Sequence, residues 1–171
     1  LAGLYIVGCV GAADRETLAR MAAEGWDASS AYGNGWYPPN RVRTVGNFVC
    51  APVEGFIDQQ EAIWKSKTEW GLLPDITAAM MGWDSRPWNE TPFFWSDNTP
   101  EKFRDLCLRA RAIMDAKPTR GPERNTIIFC CWNEFGEGHY IEPTRGYGYS
   151  YLDVIREVFT RAPREHTDIA P

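Results

Sequence analysis

Three carboxylates, Glu134, Glu137 and Glu142, fall within nine positions of one another in the run Cys131-Trp132-Asn133-Glu134-Phe135-Gly136-Glu137-Gly138-His139-Tyr140-Ile141-Glu142-Pro143. Cleavage of a glycosidic bond needs two carboxyl groups in different protonation states. One donates a proton to the leaving oxygen and the other acts as base or nucleophile. Glu134 and Glu137 suit that work, because Gly136 and Gly138 flank Glu137 and let the backbone turn sharply there. Glutamates clustered in a loop are more often solvated surface than catalytic machinery. The aromatic neighbours Trp132, Phe135 and Tyr140 weigh against that reading, since sugar rings stack on such faces while their hydroxyls bond carboxylates and amides. Trp132, Asn133, Tyr140 and Glu142 are therefore expected to bind substrate around the acid pair.

A second cluster reads Met80-Met81-Gly82-Trp83-Asp84-Ser85-Arg86-Pro87-Trp88. Trp83 and Trp88 offer stacking surfaces, Asp84 accepts from hydroxyls, and Arg86 binds substrate or pairs with an acid. The alternative is a loop clasp between Asp84 and Arg86 with the tryptophans buried. A third aromatic loop, Tyr32-Gly33-Asn34-Gly35-Trp36-Tyr37-Pro38-Pro39, is a weaker candidate for sugar contact. Gly146-Tyr147-Gly148-Tyr149 lacks the spacing of a phosphate-binding fingerprint and is expected to set the entry of the last helix.

Positioning these loops requires strands that end beneath them. Four apolar runs, 4–10, 26–31, 73–80 and 126–132, lack polar alternation and are each followed by a helical pattern, as in buried parallel strands. Asp14 caps a helix carrying Leu18, Met21 and Ala22, and Thr99-Pro100-Glu101 opens one carrying Phe103, Leu106, Leu108 and Met114. Two further helices are expected over about 55–70 and 147–159. Strand then helix, four times over, implies a parallel α/β sheet with right-handed crossovers. A small open sheet and the C-terminal half of a TIM-type (β/α)8 barrel both satisfy it. The long segments 32–56 and 82–98 favour the half-barrel, because both follow strands, on the side where a barrel places its active site. The chain is thus expected to be a single (β/α)4 half-barrel over 1–171, belonging to a larger barrel.

Composition narrows the partners. A chain of 171 residues, 44% hydrophobic, can bury a sizeable core, and a net charge of -5 supplies no field for a polyanion. Nucleic acid is not an expected partner, and no run approaches the ~20 apolar residues of a membrane span. The opening runs straight into a strand-like segment without an initiator Met, so an upstream part is expected. Compartment stays open. The five cysteines form no Cys-x-x-Cys pair and are read as small core hydrophobes. Cys130 and Cys131, as neighbours in a strand, should point to opposite faces and share no metal. No cofactor and no metal are expected.

The run from Trp132 to Pro143 resembles the signature of family 99-like glycoside hydrolases. The 82–87 segment, the Thr99-Pro100-Glu101 helix start and the Gly146-Tyr147-Gly148-Tyr149 entry resemble, in similar order, members from bacterial polysaccharide gene clusters. The resemblance implies a (β/α)8 barrel and retaining, metal-free cleavage of α-mannosidic or related linkages. It also implies roles: Glu134 as base toward the sugar's own 2-hydroxyl, Glu137 as acid and then base at the glycosidic oxygen, and Asn133 orienting the sugar or an acid. The endo-α-mannosidases of this family carry Trp and His where this chain has Phe135 and Gly136, which places it nearer the polysaccharide-cluster branch. Some members of that branch are labelled glycosyltransferases.

A glycosidase acting on an oligosaccharide or polysaccharide is the expected function. A non-catalytic carbohydrate-binding or assembly module, and transfer from a nucleotide sugar, are the alternatives. The unpaired edges of a half-barrel call for a partner, either the missing N-terminal half-barrel or a second copy.

Overall fold

The computed structural model describes residues 3–10, 14–32, 42–88, 93–117 and 121–163. In chain order the elements are β1 (Val7–Cys9), α1 (Arg15–Glu24), β2 (Ala28–Ser30), β3 (Arg43–Val45), β4 (Phe48–Pro52), α2 (Val53–Trp70), β5 (Thr77–Met80), β6 (Phe93–Ser96), α3 (Pro100–Ala116), α4 (Pro122–Asn125), β7 (Ile127–Cys130), β8 (Asn133–Glu134), β9 (His139–Tyr140) and α5 (Ser150–Phe159). The chain is a mixed α/β fold built on parallel strand pairs.

Helix starts follow local chemistry. Asp14 accepts from Thr17 N at 2.7 Å, and the Thr99 hydroxyl accepts from Lys102 N at 3.4 Å with Pro100 in the first turn. The last helix begins later than the aromatic pattern suggests, because Thr144 and Gly148 bond each other across a turn before Ser150.

Each of the four expected strand runs contains a strand, shorter than the run. β1 pairs parallel with β2, and β5 pairs parallel with β7. A parallel bridge between Ser29 and Asp75 joins the β2 and β5 segments. All three residues of β2 and all four of β5 are buried, whereas the outer strands β1 and β7 each expose a residue. The expectation of full burial thus holds only where a strand has neighbours on both sides.

The described residues of the two long segments include strands that the sequence does not suggest. They carry a second sheet in which β3 pairs antiparallel with β4, and β4 pairs parallel with β6. Trp95 N donates to Trp83 O at 2.9 Å, tying this sheet to the segment that follows β5. These strands are not legible locally, because β4 and β6 are far apart in sequence and neither run has an alternating pattern of useful length.

The main core packs α2, α3 and α5 on β5, through Ile57, Trp64, Ala79, Phe103, Leu106, Tyr151 and Val154. Full burial of one such large side chain is worth about 1.5–3 kcal/mol. Two polar side chains on α2 lock the helix to β5. Trp64 Nε1 donates to Ala78 O at 3.1 Å, and the buried Gln60 amide both donates to Met80 O and accepts from Met80 N, at 2.9 and 2.8 Å. Gln60 thereby replaces a strand neighbour at the residue from which the 82–88 segment departs. Among the described residues, no helix is long and apolar enough to cross a membrane.

Candidate active site

β7 delivers the chain to Cys130, and the following residues fold back as a narrow two-stranded turn. β8 pairs antiparallel with β9, placing Asn133 opposite Tyr140 and Glu134 opposite His139. The reversal comes from a 3-10 turn over Phe135–Glu137 and from Gly138, whose φ of 63° lies in the left-handed region. A Cβ on Gly138 would approach Asp84 Cβ to 2.5 Å, so a side chain is excluded by space as well as by φ. Gly136, also expected to bend the chain, has no positive φ. The turn is held against the second cluster by Asp84 N, which donates to Glu137 O at 2.6 Å.

His139 organises the turn from within. It is fully buried, with Nε2 at 2.7 Å from Glu137 Oε2 and Nδ1 at 3.6 Å from Cys130 Sγ. The Trp83 ring lies 5.4 Å from its centroid. Glu137 is therefore oriented by an imidazole, while Glu134, opposite the same histidine on the ladder, is exposed. Sequence reasoning gave His139 no such role. The signal available was a histidine two residues after a candidate acid, in a chain with only two histidines. His166, the other one, lies outside the described residues.

A hollow of about 570 Å³ opens beside the turn. Trp83, Asp84 and Arg86 line it from the segment after β5, Tyr140, Phe135 and Gly138 from the turn, and Arg43, Ser96, Asp97 and Asn98 from the second sheet and its end. Of the expected substrate-binding residues, Trp83, Asp84, Arg86 and Tyr140 meet here. Glu134, Glu137, Trp132, Asn133, Glu142 and Trp88 are not part of its lining, although Phe135 and Gly138 bracket Glu137 along the wall. Trp88 is exposed and stands edge-on to Trp83 at 6.4 Å, and Trp132 is also exposed. Asn98, not singled out from sequence, has a buried Oδ1 with no hydrogen-bond partner among the described residues. Such an acceptor is costly unless something donates to it.

Charge at the hollow is largely committed. Arg86 Nε lies 2.8 and 3.0 Å from the two Asp84 carboxylate oxygens, and its guanidinium carbon sits 3.8 Å above the Phe94 ring. This is the clasp considered as the alternative role for the pair, formed at the edge of the hollow. Burial would raise the Asp84 pKa, but the Arg86 hydrogen bonds outweigh it and hold the carboxyl below its ordinary value. Burial pushes the Tyr140 hydroxyl above its ordinary value.

The five cysteines are not all core residues, contrary to expectation. Cys50, Cys107 and Cys130 are buried, Cys9 is exposed and Cys131 is half-buried; all five are free thiols. Cys130 and Cys131 do not diverge, because β7 ends at Cys130 and strand alternation does not extend to Cys131. Both sulfurs and a ring nitrogen of His139 lie within 4.8 Å of one another. Cys131 also donates to the Tyr32 hydroxyl at 3.5 Å, which brings the first residue of the third aromatic loop to the site. The rest of that loop, 33–39, lies outside the described residues.

Residues 41–155, which carry the turn, the 82–88 segment and the second sheet, match the family model described as Glycosyltransferase WbsX. The chain belongs to the WbsX family. Two proteins named uncharacterized protein WxcX, from Xanthomonas campestris pv. campestris strains B100 and ATCC 33913, are 31% identical to it over 103 residues. The match takes in 59% of this WbsX-family chain and 14% of each relative, so the chain corresponds to a small part of those proteins. A solved structure named glycoside hydrolase-like protein aligns with a TM-score of 0.55 at 16% identity, covering 93% of this chain and 45% of its own. That likeness concerns the fold. The family match and the shared fold together support a family 99-like domain.

Proposed function

We propose that this WbsX-family chain is the C-terminal half of a (β/α)8 barrel acting on glycosidic linkages of a polysaccharide, with Glu134 and Glu137 as its acid–base pair. The observation that carries the reading is Glu137 Oε2 held at 2.7 Å by buried His139, with Glu134 across the same short ladder and an aromatic hollow alongside. An exposed, unpartnered glutamate needs no buried histidine to aim it. In the scheme that the family resemblance implies, Glu134 takes the proton of the sugar 2-hydroxyl. Glu137 protonates the departing glycosidic oxygen and then deprotonates the incoming nucleophile. Trp83 and Tyr140 supply stacking faces, Asp84 and Asn133 accept from or orient hydroxyls, and the orphan Asn98 Oδ1 takes a hydroxyl donor. Trp88, Trp132, Arg86 and Glu142 extend this surface.

The half-barrel reading rests on strand order. β1, β2, β5 and β7 succeed one another in space as they do in the chain, without the reversal that a doubly wound open sheet contains. The outer faces of β1 and β7 then belong against a complementary half-barrel or a second copy.

Water as the incoming nucleophile makes the enzyme a retaining glycosidase of α-mannoside-like linkages. A sugar hydroxyl makes it a transferase, the reading favoured by the family's description. Reducing-sugar release from mannose-containing polysaccharide by the full-length protein tests the first, and nucleoside diphosphate release from nucleotide sugars tests the second. In either assay Glu134→Gln and Glu137→Gln are expected to lower turnover by about 10²–10⁴-fold. Turnover equal to wild type in both variants would remove the assigned roles.

A further inference from the structure

We propose that Cys130 Sγ, Cys131 Sγ and His139 Nδ1 form a binding site for one thiophilic divalent cation of the zinc class. The two sulfurs and the imidazole lie within 4.8 Å of one another, with Cys130 Sγ at 3.6 Å from Nδ1. A tetrahedral zinc ion, about 2.3 Å from sulfur and about 2.0 Å from nitrogen, sets those two atoms roughly 3.5 Å apart. Cys130 Sγ and His139 Nδ1 therefore already stand near the spacing the ion requires, with Cys131 Sγ within 4.8 Å of both.

The surroundings match a metal-bound histidine. The ring nitrogen not offered to the cation, Nε2, is 2.7 Å from Glu137 Oε2, the carboxylate–histidine arrangement that fixes a ligating imidazole in one tautomer. Cys130 and His139 are buried, and Cys131 is half-buried. Two thiolates and an imidazole select zinc or a similar borderline-soft ion over magnesium or calcium, which prefer oxygen. On binding, each thiol releases its proton to solvent, Nδ1 contributes its lone pair, and Nε2 keeps its proton and donates a hydrogen bond to Glu137 Oε2. A fourth ligand, an oxygen such as water, completes the tetrahedron.

Two thiolates cancel the charge of the cation, so the site holds it without a further buried charge. The readout is metal binding rather than turnover, so this proposal and the glycosidic one can fail separately.

The test uses reduced, metal-free full-length protein titrated with Zn²⁺ by calorimetry and with Co²⁺ by absorbance. One equivalent is expected to bind, with a thiolate-to-cobalt charge-transfer band, while Mg²⁺ gives no binding. Cys131→Ser is half-buried and expected to fold, as circular dichroism will show. It should weaken Zn²⁺ by more than the ~10–100-fold that loss of an outer-shell partner costs. Cys9→Ser, at an exposed thiol remote in sequence, should leave affinity unchanged. No charge-transfer band in the wild type, Zn²⁺ affinity unaltered by Cys131→Ser, or a Cys130–Cys131 disulfide persisting in freshly reduced protein would each overturn the assignment.

Discussion

Just before β5, Asp75 accepts from Lys67 Nζ at 2.8 Å and from Ser29 Oγ at 2.9 Å, while beyond the end of β7 Glu134 stands exposed on a two-residue strand. The first cluster is closed. Lys67 and Asp75 are almost wholly buried, and Lys117 Nζ donates to Thr77 Oγ1 at 2.8 Å beside them. Burial lowers the Lys117 pKa, although Asp75 and Glu123 oppose that shift. Around Glu134 and Glu137, among the described residues, the acids have one internal side-chain partner, His139, and a hollow alongside whose Asn98 Oδ1 has no hydrogen-bond partner. In the barrel proposed for this chain, polar groups at the N-terminal ends of strands would serve stability and those at the C-terminal ends chemistry. What separates the two clusters is whether their hydrogen-bonding capacity is used up inside the protein.

That contrast can be broken most decisively by Asp75→Ala. Leaving Lys67 buried without its carboxylate is expected to cost about 3–5 kcal/mol of stability by urea denaturation. Glu134→Gln, at an exposed position, should stay within ~0.5 kcal/mol of wild type in the same experiment. If Glu134→Gln destabilised as much as Asp75→Ala, the carboxylate beyond β7 would be structural and the comparison would collapse.

A smaller effect sharpens the boundary between the clusters, at the Asp84–Arg86 clasp. The Asp84 carboxyl titrates below its ordinary 3.8 in the folded protein, so the folded state binds fewer protons there than the unfolded chain. Its contribution is fully present above pH 3.8 and is lost as pH falls through the lower folded value. The stability difference between wild type and Arg86→Gln should be about 1 kcal/mol at most near neutrality, given the partial exposure of both groups. It should narrow progressively below the ordinary carboxylate pKa. A difference that widened in acid would mean that Arg86 stabilises the fold through Phe94 and not through Asp84.

Much of the scaffold was legible locally. Asp14 and Thr99-Pro100 mark helix starts because a cap acts on backbone within a few residues of itself, and β2 and β5, built mostly of small residues, are buried throughout because both strands have neighbours on each side. β4 and β6 have no local signal because each gains its partner only across about forty intervening residues.

For the site, residue types and spacing by themselves nominated Glu134, Glu137 and the aromatic segments around them, since acids bracketed by stacking surfaces are a chemical pattern before they are a shape. Only the tertiary structure turned the Glu137 carboxylate back onto a buried imidazole, closed Arg86 on Asp84, and brought Cys130 and Cys131 to the same histidine. Those outcomes depend on where β7 stops and on which distant backbone meets Gly138, and both are set by packing between segments that no local pattern couples.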